Sequence, residues 1–158
     1  MSRITRQQSI GQSIQDFIRA ALDDRQYPAD QIEMHDAFEA GMFEGPLDKE
    51  HIALGFSFDA GGRALEMGST LHEYTHRIEI FVIATTATRG ENIAYAIREE
   101  MDKQGRVALK DLSQVGAPII DYLILDPVAI QRQPIPDPEP WERWVWTLTV
   151  PVIDVHYA

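Results

Sequence analysis

The sequence predicts an α+β fold, with a single antiparallel or mixed β-sheet flanked by two main helices and a projecting C-terminal β-hairpin. Two segments place apolar residues at helical spacing, and the segments between and after them alternate apolar with polar residues as strands do. A length of 158 residues and a hydrophobic content of 44% suit one domain with a sizeable core. We therefore expect one domain over residues 1–158, composed of an N-terminal helix at 5–24, a strand–helix unit at 72–105 and a hairpin at 119–156.

The N-terminal helix is predicted from a single apolar stripe. Thr5 or Ser9, each followed three residues later by glutamine, can cap its start. Pro28 ends it, because the residue before a proline avoids the helical conformation. The stripe consists of Ile10, Ile14, Phe17, Ile18, Ala21 and Leu22.

Two strands are expected next. Residues 31–38 form a short candidate, and residues 51–59 alternate large apolar with small side chains, which indicates a half-buried strand. Glycine and proline mark residues 41–50 as a loop, and a second loop runs from Gly61 to about Leu71.

Residues 72–76 spell HExxH, the pattern with which zinc peptidases hold their metal. On a helix, one turn would bring both histidines to one side, with Glu73 as general base. The β-branched run at 77–86 favours a strand instead. There His72 and His76 would share a face but lie about 13 Å apart, at roughly 3.3 Å per residue. That separation is too large for one zinc ion, whose ligands lie about 2.0–2.1 Å away.

Two interpretations of this motif stay open. We expect a strand on which His72 and His76 face solvent or a neighbouring subunit. The alternative is a zinc site completed by a downstream Glu99 or Glu100, as in zinc peptidases that take a distant third ligand.

A second helix is predicted between this strand and residue 105. Thr88 and Glu91 form a capping box at its start, Gly105 suits a left-handed C-terminal position, and Lys103 suits the negative end of the helix dipole. Residues 107–118 are then expected to be linking structure. The buried face of the helix would consist of Ile93, Ala94, Ile97 and Met101.

The C-terminal third predicts two long strands. The first, 119–130, is interrupted at Pro127, because proline cannot donate to a strand ladder. The link at 131–140 has proline at every second position near its end and should be polyproline-like, with little backbone pairing. The second strand, 141–155, alternates regularly, and we expect Trp146 to be buried. Its two faces carry Trp144, Trp146, Leu148 and Val150 on one side and Arg143, Val145, Thr147 and Thr149 on the other.

Composition excludes several classes of function. With 14 basic and 25 acidic residues the net charge is −11, so the chain as a whole should repel nucleic acid and anionic membranes. It contains no cysteine and therefore no disulfide or thiol chemistry, which is compatible with a reducing cytoplasm. We expect no signal peptide and no membrane span, because no apolar run approaches about 20 residues.

Catalytic patterns other than HExxH are missing from the sequence. It has no Walker-type phosphate loop, no G-x-S-x-G elbow and no CxxC pair. Asp121 and Asp126 are five residues apart, so a regular strand would point them to opposite faces as solvated side chains. Trp144 and Trp146 are more typical of a core or a subunit interface than of a nucleic-acid stacking surface. We therefore expect no enzyme activity, no cofactor and no metal.

The C-terminal residues resemble a known protein family. Residues 140–150, PWERWVWTLTV, together with the preceding proline-rich link, resemble tail-terminator (tail-completion) proteins of long-tailed bacteriophages. Strand 72–84, the helix after it and the VALKDL segment at 107–112 are similar to the middle of the same proteins. The resemblance covers roughly residues 70–155 and lies in the pattern and order of elements. The acidic loop at 41–50 has no counterpart in that pattern.

The resemblance implies a structural protein of the virion neck, neither enzymatic nor dependent on a cofactor. Such proteins assemble into a hexameric ring that ends tail-tube polymerisation and joins the tail tube protein to the head-completion (stopper) protein. The genome passes through the channel of the ring without specific binding. A heterologous interface that closes a ring needs two different faces on one protomer. A projecting hairpin and an open sheet edge would provide them.

Two sets of residues are candidates for these roles, and two other functions stay open. The closer alternative to a tail terminator is another neck component, such as a head-completion stopper or connector. The second alternative is a small zinc metallopeptidase. The interface candidates are Trp141, Arg143, Trp144, Pro134 and Pro136. The candidate acidic residues of the channel lining are Asp36, Glu39, Glu44, Asp48 and Glu50.

Overall fold

The computed structural model describes residues 3–25, 27, 31–36, 49–126, 129–134 and 144–157, with the backbone alone at 3–5 and 129–134. The two helices are α1 (Arg3–Asp23) and α2 (Ala87–Gln104). The predicted α+β fold, one sheet flanked by helices, is confirmed. The strands are β1 (Ile32–His35), β2 (Glu50–Ser57), β3 (Arg63–Ala64), β4 (Leu71–Ala84), β5 (Arg106–Lys110), β6 (Ile119–Leu125), β7 (Ala129–Pro134) and β8 (Trp144–Tyr157).

The strands form one mixed sheet in the order β1-β2-β4-β8-β6-β5. Strand β3 pairs with the start of β4, and β7 pairs with the first half of β8. Only β1 and β2 are parallel; the other described pairs are antiparallel. The two 14-residue strands β4 and β8 lie side by side along their whole length, so they form the centre of the sheet.

The C-terminal hairpin is present as β6 and β7 against β8. The predicted interruption near Pro127 is confirmed, since β6 ends at Leu125 and β7 begins at Ala129. The described part of the hairpin lies within the sheet, and its loop at 135–143 lies outside the described residues. The expectation of little backbone pairing was wrong for residues 131–134, which pair with β8 and continue the sheet as far as Pro134.

Both helices pack on the same face of the sheet. Strand alternation turns every second side chain of β2, β4 and β8 toward them, and these side chains form the main core with the apolar stripes of α1 and α2. The predicted stripes are buried at Ile14 and Ile18 in α1 and at Ile93 and Ile97 in α2. The sheet positions of this core include Ile52, Leu54, Ile78, Ile80, Val82, Trp146, Leu148, Val150 and Val152.

Trp146 is buried beneath α2, as predicted, and is only 6% exposed. Gly90 of α2 lies directly over it: an added Cβ would come within 2.7 Å of the indole Cδ1. The same Cβ would also lie 3.1 Å from the side chain of Ala84. A side chain at residue 90 would therefore push α2 away from the sheet, and glycine allows the close approach.

The predicted N-terminal caps of the two helices were wrong. Helix α1 begins at Arg3, ahead of Thr5, and Ser9 is buried in its interior, because packing against the sheet overrides the capping preference of serine. In α2 the N-cap is Thr86, whose Oγ1 accepts a hydrogen bond from the Arg89 N–H at 3.4 Å. The predicted C-terminal glycine is confirmed, since Gly105 has a φ of 66°.

Two strands were missed in segments predicted to be loops. The expected link at 107–118 begins with β5, in which only Val107 and Leu109 are buried; two alternating apolar positions are too few to identify a strand. The two-residue β3 lies within the glycine-containing loop before β4. Neither described helix has the length and apolarity required to cross a bilayer.

Candidate functional site

The HExxH segment lies in the first half of β4, so its predicted strand conformation is confirmed. His72, Tyr74 and His76 form a row on the helix-covered face. The Tyr74 ring centroid lies 6.1 Å from that of His72 and 6.2 Å from that of His76, so the tyrosine separates the two histidines. Glu73 points to the opposite face, where it accepts a hydrogen bond from Arg63 at 3.0 Å. The motif therefore does not bring its three polar side chains together.

The expectation that His76 faces solvent or a neighbouring subunit was wrong. This side chain is buried, with the Phe58 ring packed edge-on against it. Its Nδ1 accepts a hydrogen bond from the Asp59 backbone N–H at 3.0 Å, so in the neutral ring the proton resides on Nε2. That Nε2 lies 3.7 Å from a carboxylate oxygen of Asp154.

Asp154 is the centre of a buried polar cluster between α1 and the sheet. It lies on β8 with no exposed surface, and Arg6 of α1 donates to both of its oxygens, at 2.6 and 2.9 Å. The same guanidinium reaches Asp121 of β6 at 3.2 Å, so Asp121 is not simply a solvated strand position as expected. His156 Nδ1 lies 3.2 Å from Asp154. Asp126 is exposed, as expected.

The electrostatics of this cluster favour ionised Asp154. Burial alone would raise the pKa of its carboxyl, but the hydrogen bonds and charge of Arg6 outweigh burial and hold that pKa well below its usual range. Burial lowers the pKa of His156, although the Asp154 charge opposes the shift. A carboxylate with a low pKa and both oxygens occupied by a guanidinium is a poor general base. The cluster instead ties α1 to β6 and β8.

The opposite face of the sheet carries an exposed apolar strip. On β6, Leu123 is buried beneath the helices, and its neighbours alternate onto the open face. Ile120, Tyr122 and Ile124 are 41%, 46% and 51% exposed, and we call these three residues the β6 strip. Ile124 pairs with Ile153 of β8, which extends the apolar surface toward the centre of the sheet. A contiguous exposed apolar patch is a candidate interaction site, and we treat the β6 strip as one.

The two edges of the sheet differ in charge among the described residues. At the β5 edge, Arg106 is exposed with its guanidinium 4.4 Å from the centre of the Tyr122 ring, and Lys110 lies at the other end of the strand. At the β1 edge, Glu33 and Asp36 are exposed. The β5 edge therefore presents Arg106 beside the β6 strip, whereas the β1 edge presents Asp36 together with a Glu33 whose carboxylate lies 3.5 Å from Lys49.

Only part of the predicted interface falls within the described residues. Trp144 is half-buried at the start of β8, paired with Ala84 on one side and with Pro134 on the other. Its neighbours in the prediction, Trp141, Arg143 and Pro136, lie outside the described residues.

Two of the five predicted channel carboxylates, Asp36 and Glu50, lie within the described residues. Asp36 is exposed, and its place in a channel lining stays a prediction. Glu50 is buried and forms an ion pair with Arg89 of α2, so its assignment to a channel lining was wrong. The remaining three, Glu39, Glu44 and Asp48, lie outside the described residues.

Sequence reasoning missed the Asp154 cluster and the β6 strip. A signal for the first was present: Asp154 occupies an inward position in the alternation of β8, where the preceding inward residues, from Trp146 to Val152, are apolar. Nothing in the sequence identifies Arg6, 148 positions away, as its partner. The β6 strip was hidden because residues 119–125 are apolar at almost every position, so alternation did not separate the two faces.

Comparison with known proteins adds no relative from which a role could be transferred. No protein-family model matches the sequence, and no curated protein matches it.

Proposed function

We propose that this chain is a tail terminator of a long-tailed bacteriophage. Six copies form a ring at the neck of the virion, after assembly in the host cytoplasm. The ring ends polymerisation of the tail tube protein and joins the tail to the head-completion (stopper) protein. Two kinds of support combine here: the resemblance over roughly residues 70–155 and a fold that leaves the β6 strip exposed on the face of the sheet opposite the helices.

The main support for the proposal is the exposure of the β6 strip. Its three large side chains are about half exposed, and in the described part of the chain both helices lie on the other face of the sheet. Leaving such a strip in water is unfavourable, since burial of apolar surface contributes about 25 cal/mol per Å². A second copy of the chain is the occupant that we assign to it.

Charge at the two edges supports contact between copies. Arg106 borders the β6 strip at the β5 edge, and the exposed Asp36 lies at the β1 edge. A head-to-tail contact brings Arg106 of one protomer near Asp36 of the next, which favours that orientation over like-edge contacts. Because the two surfaces differ, the interface is heterologous, and a suitable rotation closes it into a ring.

Deletion of the gene tests the terminator role. We expect filled heads without tails and tail tubes of uncontrolled length, because nothing stops polymerisation of the tube. Tails of normal length in the deletion lysate would refute the role. Normal tails that fail to attach to heads would instead indicate the head-completion stopper, which is the alternative neck component.

A second test concerns the genome. Duplex DNA carries about one negative charge per 1.7 Å of axis, and a protein that neutralises those charges gains affinity by counterion release. With a net charge of −11, the purified chain should show no measurable duplex binding at moderate salt. Micromolar binding with a steep dependence on salt concentration would contradict passage of the genome through a passive channel.

A further inference from the structure

The β1 edge of the sheet brings two histidines and a glutamate together. Glu33 and His35 are two residues apart on β1 and therefore project from one face. The parallel register of β1 and β2 sets Glu33 opposite His51. The His35 and His51 rings are stacked with centroids 5.3 Å apart, and Nε2 of His35 and Nδ1 of His51 share a hydrogen bond of 3.0 Å, which a metal ion bound to both nitrogens would replace. The Glu33 carboxylate lies 3.9 Å from each of these nitrogens.

The donor atoms of these three side chains lie close enough to converge on one metal ion. Ligands about 2.0–2.1 Å from a tetrahedral zinc ion lie roughly 3.3 Å from one another. The two histidine nitrogens are 3.0 Å apart, and each lies 3.9 Å from a different oxygen of Glu33, so one donor atom from each residue lies within 4.8 Å of the other two. The Glu33 side chain is 45% exposed, so a rotamer change brings its oxygen closer without disturbing the strand. Within the described residues, this is the only group of three or more potential ligands that converge in this way.

We propose that Glu33, His35 and His51 bind one divalent first-row transition-metal ion, of which Zn²⁺ is the representative. Two imidazoles and one carboxylate form a ligand set suited to these ions, whereas Ca²⁺ and Mg²⁺ prefer ligand shells made of oxygen. The two histidine side chains are mostly buried, at 17% and 13% exposure, which fixes two ligands in position. These three ligands, taken from the described residues, supply three of the four positions of a tetrahedral site.

Lys49 is the internal competitor of the metal. Its Nζ lies 3.5 Å from Glu33 Oε2, so the ammonium compensates the carboxylate when no ion is bound. An arriving cation must displace this side chain, which is itself 36% exposed. The bound ion then links β1 to β2, and it stabilises the folded chain because it binds the folded state in preference to the unfolded state.

This site is separate from the HExxH segment and from the β6 strip. His72 and His76 lie on β4 on either side of the Tyr74 ring, whereas the proposed ligands lie on β1 and β2. Metal binding at the sheet edge requires neither peptidase activity nor ring formation. A test on the purified chain can therefore fail without affecting the proposed neck function, and the reverse also holds.

The test is Zn²⁺ titration of the full chain by calorimetry, after removal of bound metal with a chelator, and the same titration of four variants. We expect one ion per wild-type chain and an increase in melting temperature on binding. Glu33→Gln and His35→Gln should weaken binding at least tenfold, because changes even outside the ligand shell typically cost 10–100-fold. His72→Gln, the same substitution outside the site, should bind as the wild type does. Lys49→Gln should bind more tightly.

Because Glu33 is half exposed, Glu33→Gln keeps the test meaningful even if a buried histidine variant fails to fold. Absence of stoichiometric Zn²⁺ binding by the wild type would overturn the proposal. Zn²⁺ binding that persists in both the Glu33→Gln and the His35→Gln variants would also overturn it. Binding lost in His72→Gln but retained in Glu33→Gln would move the ion to HExxH and revive the peptidase alternative.

Discussion

The two faces of the sheet differ in how completely the chain covers them. On the helix-covered face, α1 and α2 bury the apolar residues, and the charged groups there, above all Asp154, find partners within the chain. On the open face, Tyr122 and Ile124 are about half exposed. Burial of apolar side chains on the first face stabilises the folded protomer. On the second face Ala53, Ile83 and Val145 are buried, but the β6 strip is left about half exposed and is available to a partner.

The largest effect is expected at Trp146 on the helix-covered face. Trp146→Ala removes a buried indole beneath Gly90, and truncation of a buried aromatic costs about 3–5 kcal/mol of unfolding free energy. Thr147→Ala, one residue along the strand and on the other face, is the matched control and should cost far less. Denaturant unfolding measures both. A Trp146→Ala protein that unfolds with the wild type would contradict the assignment of the covered face.

Removal of the buried carboxylate should be nearly as costly. Asp154→Asn leaves the Arg6 guanidinium, 13% exposed, with only the half-solvated Asp121 as counter-charge. Breaking one partner of a buried ion pair typically costs about 3–5 kcal/mol. Asp126→Asn, the same change at an exposed site, should leave the free energy of unfolding almost unchanged. Equal stability of the two variants would show that Arg6 and Asp154 do not tie α1 to the sheet.

The same cluster predicts a loss of stability in acid. The folded-state pKa of Asp154 lies below its ordinary value, so its contribution is complete above about pH 4 and is lost as pH falls toward the folded pKa. The pKa of His156 is also lowered by burial, so the unfolded chain binds more protons below about pH 6.5 and stability declines there too. Unfolding free energy measured from pH 7 to pH 3 should fall throughout. His156→Gln should flatten the decline above pH 5, and an unchanged slope in this variant would contradict its role.

The smallest effect on stability, and the largest on assembly, is expected on the open face. Tyr122→Lys changes a side chain that is 46% exposed and removes its contact with the Arg106 guanidinium, so the free energy of unfolding should fall by only about 1 kcal/mol. Incorporation into virions should nevertheless be lost, because a charge replaces part of the β6 strip. Tyr95→Lys on α2, where the tyrosine is 50% exposed, is the control and should assemble normally. Lysates complemented by each variant provide the comparison, and normal tails with Tyr122→Lys would exclude the strip as an interface.

The regular periodicities of the sequence predicted the parts of the fold that depend on local patterns. The apolar stripe and Gly105 located α2, and the alternation of β8 predicted burial of Trp146. Contacts between distant segments had no such signal. The pairing of Arg6 with Asp154 spans 148 positions, and burial of Glu50 depends on Arg89 of α2. Local patterns identify which residues are inward-facing, but the partner of a buried charge is set by tertiary packing.

The most direct test of the proposed neck function is electron cryo-microscopy of the virion at the junction of capsid and tail. We predict six copies of this chain in a closed ring, with Tyr122 and Ile124 of each protomer buried against its neighbour. Absence of the chain from the neck would contradict the proposal. A ring in which the β6 strip faces solvent would contradict the assignment of that strip as the contact between protomers.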